Sequence, residues 1–195
     1  MSNYSIDINC DVGEGIGNEK DLFPHISSCN IACGGHAGDR NSMKTIVALA
    51  KLHNIKIGAH PSYPDRSNFG RISMKMSREA LCDSIQEQLT NLQSICKEQG
   101  IDLCHIKPHG ALYNDVAKDE GLAKVFLDAI ESYKTMLKLY VPPRSVIERV
   151  ALENGFQIVR EAFADRNYND DLSLVSRTYK KALIIDDNLM FDHVS

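Results

Sequence analysis

Three basic side chains alternate along one short stretch of the chain, at His105, Lys107 and His109. Alternate residues of an extended strand share a face, so these side chains are predicted to point the same way. Pro108 cannot donate to a sheet ladder and Gly110 permits a sharp change of direction, which predicts that the strand ends here. Ligands bind at the carboxyl ends of strands in parallel α/β folds. The pattern therefore favours a catalytic or binding site; the alternative is a partly exposed strand end whose histidines bond to loop carbonyls.

A glycine-rich loop near the N-terminus carries two carboxylates, Asp11 and Glu14, among glycines at positions 13, 15 and 17. Such a backbone can approach a ligand closely. The loop has neither the Gly-x-Gly-x-x-Gly pattern nor the Lys-Ser/Thr ending of a P-loop, so it is a weak candidate for a phosphate site. Its carboxylates indicate metal or proton chemistry, and a flexible surface turn is the alternative.

Histidine also follows two other short apolar segments, at His36 and His60. With His109, three histidines then follow successive strands at the same end, which is difficult to explain by core packing alone. We therefore expect His36, His60 and His109 to gather in one pocket. The charged run 160–166 brings Glu161 and Asp165 to the same end. For that run, a solvated loop with local ion pairs is the alternative.

The composition is that of an ordinary globular domain, with 195 residues of which 43% are hydrophobic and 25% charged, and it predicts one domain over residues 1–195. A formal net charge of -4 gives no general basic field, so neither nucleic acid nor an anionic membrane is expected as a partner. The absence of a targeting or membrane-spanning pattern predicts a cytoplasmic protein. The six scattered cysteines predict free thiols rather than a disulfide framework or a structural zinc site.

Strand and helix patterns alternate along the chain. Strands are predicted near residues 5–10, 30–33, 55–59, 101–106, 136–141 and 156–159, and helices near 41–54, 77–100, 119–133 and 143–154. Asp39 or Asn41 is a candidate cap for the first of these helices, and Ser77 for the second. Short strands joined by helical crossovers predict a parallel sheet, either open and doubly wound or closed into a (β/α) barrel.

Six segments together resemble the LamB/YcsF family, which is the A subunit of bacterial 5-oxoprolinase. They are NCDVGE (9–14), NIACGGHAGD (30–39), IGAHPSYPD (57–65), FGR (69–71), HIKPHGALY (105–113) and EAFADR (161–166). The resemblance implies an α/β fold, a distorted seven-stranded (β/α) barrel of the glycoside hydrolase/deacetylase type. It also implies ATP-dependent opening of 5-oxo-L-proline to L-glutamate, with ATP as co-substrate and with two partner subunits, B and C.

The resemblance and the chemistry of lactam opening together assign candidate roles. Catalytic candidates are Asp11, Glu14, Lys107 and His109; substrate-binding candidates are His36, His60, His105, Tyr113, Arg71, Glu161 and Asp165. Lys107, with His105 or His109, is placed to hold a phosphate or carboxylate, and Asp11 or Glu14 to deprotonate water. As a strand-end cation, Lys107 is expected to contribute charge and little packing. Asp11, His36 and His60 are candidate ligands for a divalent metal, since they resemble the Asp-His-His sites of deacetylase relatives.

The chain departs from the family pattern at its C-terminal end. The further strand and His-Gly-Asp segment usual in the family do not follow residue 195, and the region 131–140 is short. A barrel without its last unit would leave a strand edge unpaired, so a homodimer or reduced stability is expected. Two other functions stay open: a metal-dependent amidohydrolase or deacetylase that needs no ATP, and a non-catalytic binding subunit of the complex.

Overall fold

A curled parallel sheet forms the centre of the molecule. The computed structural model describes residues 6–194. The strands are β1 (Asn9–Val12), β2 (Ser28–Ala32), β3 (Lys56–His60), β4 (Leu103–Ile106), β5 (Lys138–Val141) and β6 (Ile158–Arg160). They pair in chain order, and every pair is parallel. The predicted α/β class with a parallel sheet is confirmed.

Helices lie between successive strands along the chain and after the last strand. They are α1 (Glu19–Leu22), α2 (Arg40–Leu52), α3 (Arg78–Glu98), α4 (Gly110–Val116), α5 (Glu120–Ala129), α6 (Val146–Glu153) and α7 (Asp187–Val194). Asp39 begins α2 with a capping box that it forms with Ser42, and Ser77 begins α3 by accepting a hydrogen bond from the Ala80 N–H. The apolar stripes of α2 and α3 are buried, for example at Ile46 and Leu89, as their periodicity predicts.

Several predicted boundaries were wrong by a few residues. The first strand lies at Asn9–Val12 rather than 5–10. The bounds of this strand are set by its pairing with β2, and the local alternation of polar and apolar residues does not determine them. The helix predicted from residue 143 begins at Val146, after a Ser145 cap, and α5 ends at Ala129. Helix α4 was not predicted, since it begins at Gly110 and is short.

The two edge strands, β1 and β6, each pair with one neighbour. Side chains inside the curl join the β1 side of the sheet to β5 and to the residues after β6. Asn9 Nδ2 donates to Glu161 Oε2 over 3.3 Å, and the Tyr140 hydroxyl donates to Asp7 Oδ2 over 2.8 Å. Six strands lie within the described part of the chain, so the seven-strand count implied by the resemblance stays a prediction.

After β6, an irregular lobe formed by residues 161–186 folds over the carboxyl ends of the strands. It is held by antiparallel bridges between Arg166 and Leu183 and between Tyr168 and Leu174. The buried Arg166 guanidinium donates to the carbonyl oxygens of Val175 (2.8 Å) and Ala182 (3.3 Å). This lobe forms one wall of the cavity described below.

The cysteines behave as predicted. All six lie in the described residues and are free thiols; Cys29, Cys33 and Cys96 are buried. Burial raises the pKa of Cys33 to about 12, so this thiol stays protonated and packs as a small apolar group. Separately, none of the helices within residues 6–194 has the length and apolar character needed to cross a bilayer.

Gly58 gives His105 the space that it occupies inside the curl. A Cβ at Gly58 would lie 2.0 Å from His105 Nε2, and the ring cannot retreat because it is stacked on Tyr140, with centroids 4.2 Å apart. We expect Gly58→Ala to lower the free energy of unfolding by about 2–5 kcal/mol, from overpacking and a lost buried hydrogen bond. Chemical denaturation of Gly58→Ala, His105→Ala and the double variant measures this. Additive losses in the double variant would show that the two residues do not share this space.

Candidate active site

The candidate residues converge because each follows the carboxyl end of a parallel strand. Asp11 lies in β1 and Glu14 just after it, His36 follows β2, and His60 ends β3. Lys107 and His109 follow β4, and Glu161 follows β6. The predicted gathering of the histidines is confirmed, since the ring centroids of His36, His60 and His109 lie 3.6–5.6 Å apart.

The three histidines form a compact cluster with Glu14. His36 and His109 stack in parallel at 3.6 Å, and His60 meets both rings edge-on. Glu14 Oε1 lies 2.9 Å from His36 Nε2 and 3.4 Å from His109 Nδ1. Burial lowers the pKa of His36, and it lowers the pKa of His109 to about 2, so His109 is neutral at physiological pH.

Gly70 lets the backbone close over this cluster. It has a φ of +62°, and a Cβ there would lie 2.9 Å from His36 Cβ and 3.1 Å from His109 Cδ2. Only glycine meets both requirements without strain. The preceding residue, Phe69, contacts His36 and His109 with its ring edge-on. The Phe-Gly-Arg segment therefore holds the two stacked rings in place.

Lys107 lies beside the histidine cluster as part of a buried charge network. It is 4% exposed, and its Nζ lies 3.3 Å from Asp11 Oδ1 and 3.1 Å from Glu161 Oε2. Burial alone would lower the pKa of Lys107, but Asp11 and Glu161 outweigh burial and raise that pKa. Burial alone would raise the pKa of Asp11, but His60 and Lys107 hold that pKa well below its ordinary value. Both groups are therefore charged at neutral pH.

A polar layer under the charge network contains a residue that sequence reasoning missed, Asn30. Its side chain is fully buried; Nδ2 donates to Asn9 Oδ1 (2.6 Å) and Asp11 Oδ1 (2.8 Å), and Oδ1 accepts from His105 Nε2 (2.7 Å). Asn30 thereby orients Asp11 from below. The signal available in the sequence was an asparagine inside an otherwise apolar strand, which a buried position tolerates only when its amide is bonded.

His105 belongs to this lower layer and does not reach the cavity lining. It shares its inward direction with Lys107, as predicted, but its ring lies under the charge network and contacts Asn30 and Tyr140. Its role in substrate binding stays a prediction; from this position His105 lies outside the cavity lining and is linked to it through Asn30. Burial lowers the pKa of His105 to about 3.

We expect the lowered pKa of His105 to make the protein sensitive to acid. The ordinary value is 6.5 and the folded value about 3, so between these values the unfolded chain binds a proton that the folded protein excludes. Stability from this group is therefore complete above pH 6.5 and falls with pH below it, by up to about 1.4 kcal/mol per unit. Urea denaturation of wild type and His105→Gln between pH 7 and 4 measures this. The variant should show a shallower dependence; equal slopes would contradict this account.

A cavity of about 430 Å³ opens above these residues. Its lining includes seven of the candidate residues, Asp11, Glu14, His60, Arg71, Lys107, His109 and Tyr113, together with the lobe residues Phe163, Arg166, Val175 and Arg177. Four candidates lie outside the lining within residues 6–194, namely His36 and Glu161, which pack behind it, His105 below it, and the solvent-exposed Asp165. A second groove, of about 490 Å³, lies outside the sheet between α3 and α5 and contains none of the candidates.

Two buried polar atoms near Lys107 have no hydrogen-bond partner in the described part of the chain. They are the Tyr113 hydroxyl and Glu161 Oε1. Lys107 Nζ lies 4.7 Å from the centre of the Phe163 ring, and Tyr113 meets the same ring edge-on. Burial and the nearby Glu161 raise the pKa of Tyr113 well above its ordinary value, so its hydroxyl keeps its proton. A ligand in the cavity can therefore receive one hydrogen bond from Tyr113.

Comparison with known proteins assigns the chain to a family. The sequence model of the LamB/YcsF family matches residues 6–195. The chain belongs to the LamB/YcsF family.

Relatives within the LamB/YcsF family carry informative names. The chain is 43% identical over 182 residues to the A subunit of a 5-oxoprolinase from Haemophilus influenzae (strain PittEE), covering 93% of this chain and 74% of the relative. It is 41% identical to the A subunit of a 5-oxoprolinase from Clostridium beijerinckii, covering 98% and 77%. The crystal structure of a lactam utilization protein from Thermus thermophilus superposes with a TM-score of 0.90 at 35% identity, covering 96% and 78%.

The metal ligands expected from the sequence differ from those that this LamB/YcsF structure brings together. Glu14, His36, His60 and His109 present ligand atoms that all lie within 4.8 Å of one another. His36 and His60 were expected in such a set. Asp11 was expected as well, but its Oδ1 is bound to Lys107 and Asn30, and only its Oδ2 approaches His60 Nε2, at 3.3 Å. Three imidazoles and a carboxylate are a donor set that fits a transition metal.

Proposed function

We propose that this protein is a subunit of an ATP-dependent 5-oxoprolinase, which opens 5-oxo-L-proline to L-glutamate with hydrolysis of ATP. The observation that carries the proposal is the cavity lined by Lys107 and by Tyr113, whose buried hydroxyl has no hydrogen-bond partner in the described residues. Membership of the LamB/YcsF family and the names of the relatives support the same substrate.

The unpartnered Tyr113 hydroxyl matches a functional group of a cyclic amide. In the proposed complex this hydroxyl donates to the lactam carbonyl oxygen. The bond satisfies a buried group that is otherwise unpaired in the described residues, which gives the site a preference for an amide over an apolar ring. As water attacks the carbonyl carbon, negative charge grows on that oxygen, where Tyr113 and Lys107 stabilise it.

The rim of the cavity supplies positive charge for the anionic part of the ligand. Arg71, Lys118, Arg166 and Arg177 line it, and none of them has a carboxylate within 4.0 Å in the part of the chain that the structure describes. The protein as a whole carries a net charge of -4, so this is a local concentration. In the proposal it attracts the carboxylate of 5-oxoproline or a phosphate derived from ATP.

The two carboxylates of the N-terminal loop take different roles. Asp11 has a strongly lowered pKa, which makes it a weak proton acceptor and suits it to holding Lys107 and His60 in place. Glu14 faces the cavity next to His109. In the absence of a metal we assign Glu14 as the group that accepts a proton from the attacking water. The C–N bond then breaks, and the released nitrogen takes up the proton from Glu14 to become the amine of glutamate.

The proposal includes two partner subunits, B and C, in the cytoplasm. The N-terminal loop lacks a P-loop pattern, so a partner is the expected source of the ATP site. The test is reconstitution of the complex, with glutamate and ADP measured in the presence and absence of this chain. Glutamate formation that needs 5-oxoproline, ATP and this chain supports the proposal. Full turnover by the partners alone would contradict it.

A second function is favoured by the Glu14, His36, His60 and His109 group. Such a donor set also suits a metal-dependent amidohydrolase that needs no ATP. The isolated chain would then release glutamate from 5-oxoproline without nucleotide, and a chelator would abolish that release. A chain that binds 5-oxoproline but never contributes a group to the reaction, as a binding subunit, would instead show a raised KM and an unchanged kcat in Tyr113→Phe.

A further inference from the structure

The outer ring nitrogens of His60 and His109 are fixed as hydrogen-bond donors. His60 Nδ1 lies 2.7 Å from the carbonyl oxygen of Lys107, and His109 Nε2 lies 3.0 Å from that of Phe69. A carbonyl oxygen only accepts, so each of these nitrogens carries the hydrogen. An imidazole with a single N–H group presents a lone pair on its other nitrogen, and in that form the inner nitrogens, His60 Nε2 and His109 Nδ1, both present lone pairs.

These two lone pairs face each other across 3.0 Å, an arrangement that is unfavourable unless a positive charge lies beside them. Two more possible ligand atoms, Glu14 Oε1 and His36 Nε2, lie near these nitrogens. Glu14 Oε1 is 3.4 Å from His109 Nδ1 and 2.9 Å from His36 Nε2. Ligand atoms around a tetrahedral zinc ion lie about 3.3 Å apart at ordinary bond lengths. These three separations are close to that value, and the ligand atoms of the whole group lie within 4.8 Å of one another.

We infer that Glu14, His60 and His109 form a binding site for a divalent transition metal, with His36 as a weaker fourth ligand. Two imidazoles and a carboxylate suit Zn²⁺ or Co²⁺ better than Mg²⁺ or Ca²⁺. The carbonyls of Lys107 and Phe69 fix the ring tautomers, which is the role of outer partners in metal sites. The three ligands line the cavity, so the site is open to a substrate. A cation here polarises an amide carbonyl, and Glu14 then serves as a ligand and no longer as a proton acceptor.

His36 ranks below the other ligands because no group fixes its tautomer. Its Nδ1 is buried without a hydrogen-bond partner among residues 6–194, so a neutral His36 is free to carry its hydrogen on Nε2 and donate to Glu14. To bind a metal through Nε2 it would have to place an N–H on the unpartnered side, which leaves a buried donor without a hydrogen bond. This ranking follows from the geometry of the cluster and distinguishes His36 from His109.

The rival explanation is an additional proton on His60, shared with His109 and with Asp11 Oδ2, which lies 3.3 Å from His60 Nε2. A proton and a metal both relieve the repulsion of the lone pairs, but only the metal needs Glu14. The inference rests on these contacts and not on the proposed reaction, so it is tested on the isolated full chain. Failure of lactam opening in the complex would leave it standing.

The experiment strips the chain with a chelator and titrates it with Zn²⁺ and Co²⁺ by calorimetry, with elemental analysis and the visible spectrum of the Co²⁺ form. We expect one metal per chain in the wild type. Loss of a residue that only hydrogen-bonds to a metal ligand typically weakens metal binding by roughly 10–100-fold. Glu14→Gln and His109→Gln should weaken it by more than this, and His36→Gln by about tenfold. His25→Gln, at an exposed histidine, is the matched control and should bind as wild type does.

Circular dichroism and cooperative unfolding establish that each variant is folded. If His109→Gln does not fold, Glu14→Gln decides the test, because Glu14 lies on a loop and its side chain is partly exposed. A wild-type chain that takes up neither Zn²⁺ nor Co²⁺ would overturn the metal site. Undiminished uptake by folded Glu14→Gln would overturn the ligand set, and equal losses in His36→Gln and His109→Gln would overturn the ranking.

Discussion

Replacing Lys107 by alanine is expected to reduce turnover of the reconstituted complex by at least about 10²–10³-fold, because a buried cation that stabilises developing negative charge is lost. The same change should lower the free energy of unfolding by about 3–5 kcal/mol, since it leaves buried carboxylate charge without its partner. Sequence reasoning assigned Lys107 little part in packing. That expectation was wrong: its ammonium lies between Asp11 and Glu161 and over the Phe163 ring.

A charge-balanced variant separates the two effects of removing Lys107. In Lys107→Met with Glu161→Gln, both members of one buried ion pair become neutral, so we expect most of the lost stability to return. Turnover should stay as low as in Lys107→Ala, because the cation is still missing. Measurements of urea unfolding and of glutamate release on the same preparations test this. Recovery of turnover together with stability would mean that Lys107 acts only by holding the fold.

Asp11→Asn is expected to reduce kcat by about 10²-fold with a much smaller loss of stability. Lys107 keeps its contact with Glu161, and the Asp11 side chain is 31% exposed, so solvent screens part of the lost charge. The reaction suffers more because Asp11 holds both Lys107 and His60 in position. Since the proposed substrate contact is with Tyr113, KM should change less than kcat.

Asp102→Asn is the matched control for Asp11→Asn. Asp102 is an exposed carboxylate just before the amino end of β4, away from the cavity, and its replacement should alter neither kcat nor stability measurably. Steady-state kinetics of the complex and thermal unfolding of the chain provide both readouts. If Asp11→Asn changed KM alone, its role would be in binding, and the assignment of Asp11 as the residue that positions Lys107 would fail.

Sequence reasoning predicted correctly that the histidines, Lys107 and the acidic loop would meet. The reason is topological, because parallel strands in chain order present all their carboxyl ends at one edge of the sheet. Residues that follow successive strands, such as His36, His60 and His109, are then brought together whatever the details of packing. Helix caps could also be predicted from the sequence, because Asp39 and Ser77 bind backbone groups only three residues away.

The sequence did not predict how deep each side chain lies inside the curled sheet. His105 and Lys107 share a face of one strand, yet His105 lies below the site and bonds to Asn30 while Lys107 reaches the cavity wall. That difference depends on Gly58, a residue of the neighbouring strand that leaves room for the His105 ring. Asn30 was missed for the same reason: its partners are on β1 and β4 and are distant in sequence.

The choice between Asp11 and Glu14 as the partner of the histidines was also decided by tertiary structure. Both carboxylates lie on one short segment, and residue type and spacing do not distinguish them. In the folded protein Lys107 and Asn30 engage Asp11 Oδ1, whereas Glu14 extends from the loop to the rings of His36 and His109. The amino-acid sequence by itself determined which groups reach the edge of the sheet; the packing of neighbouring strands decided which of them touch, because hydrogen bonds and ion pairs form only over a few ångströms.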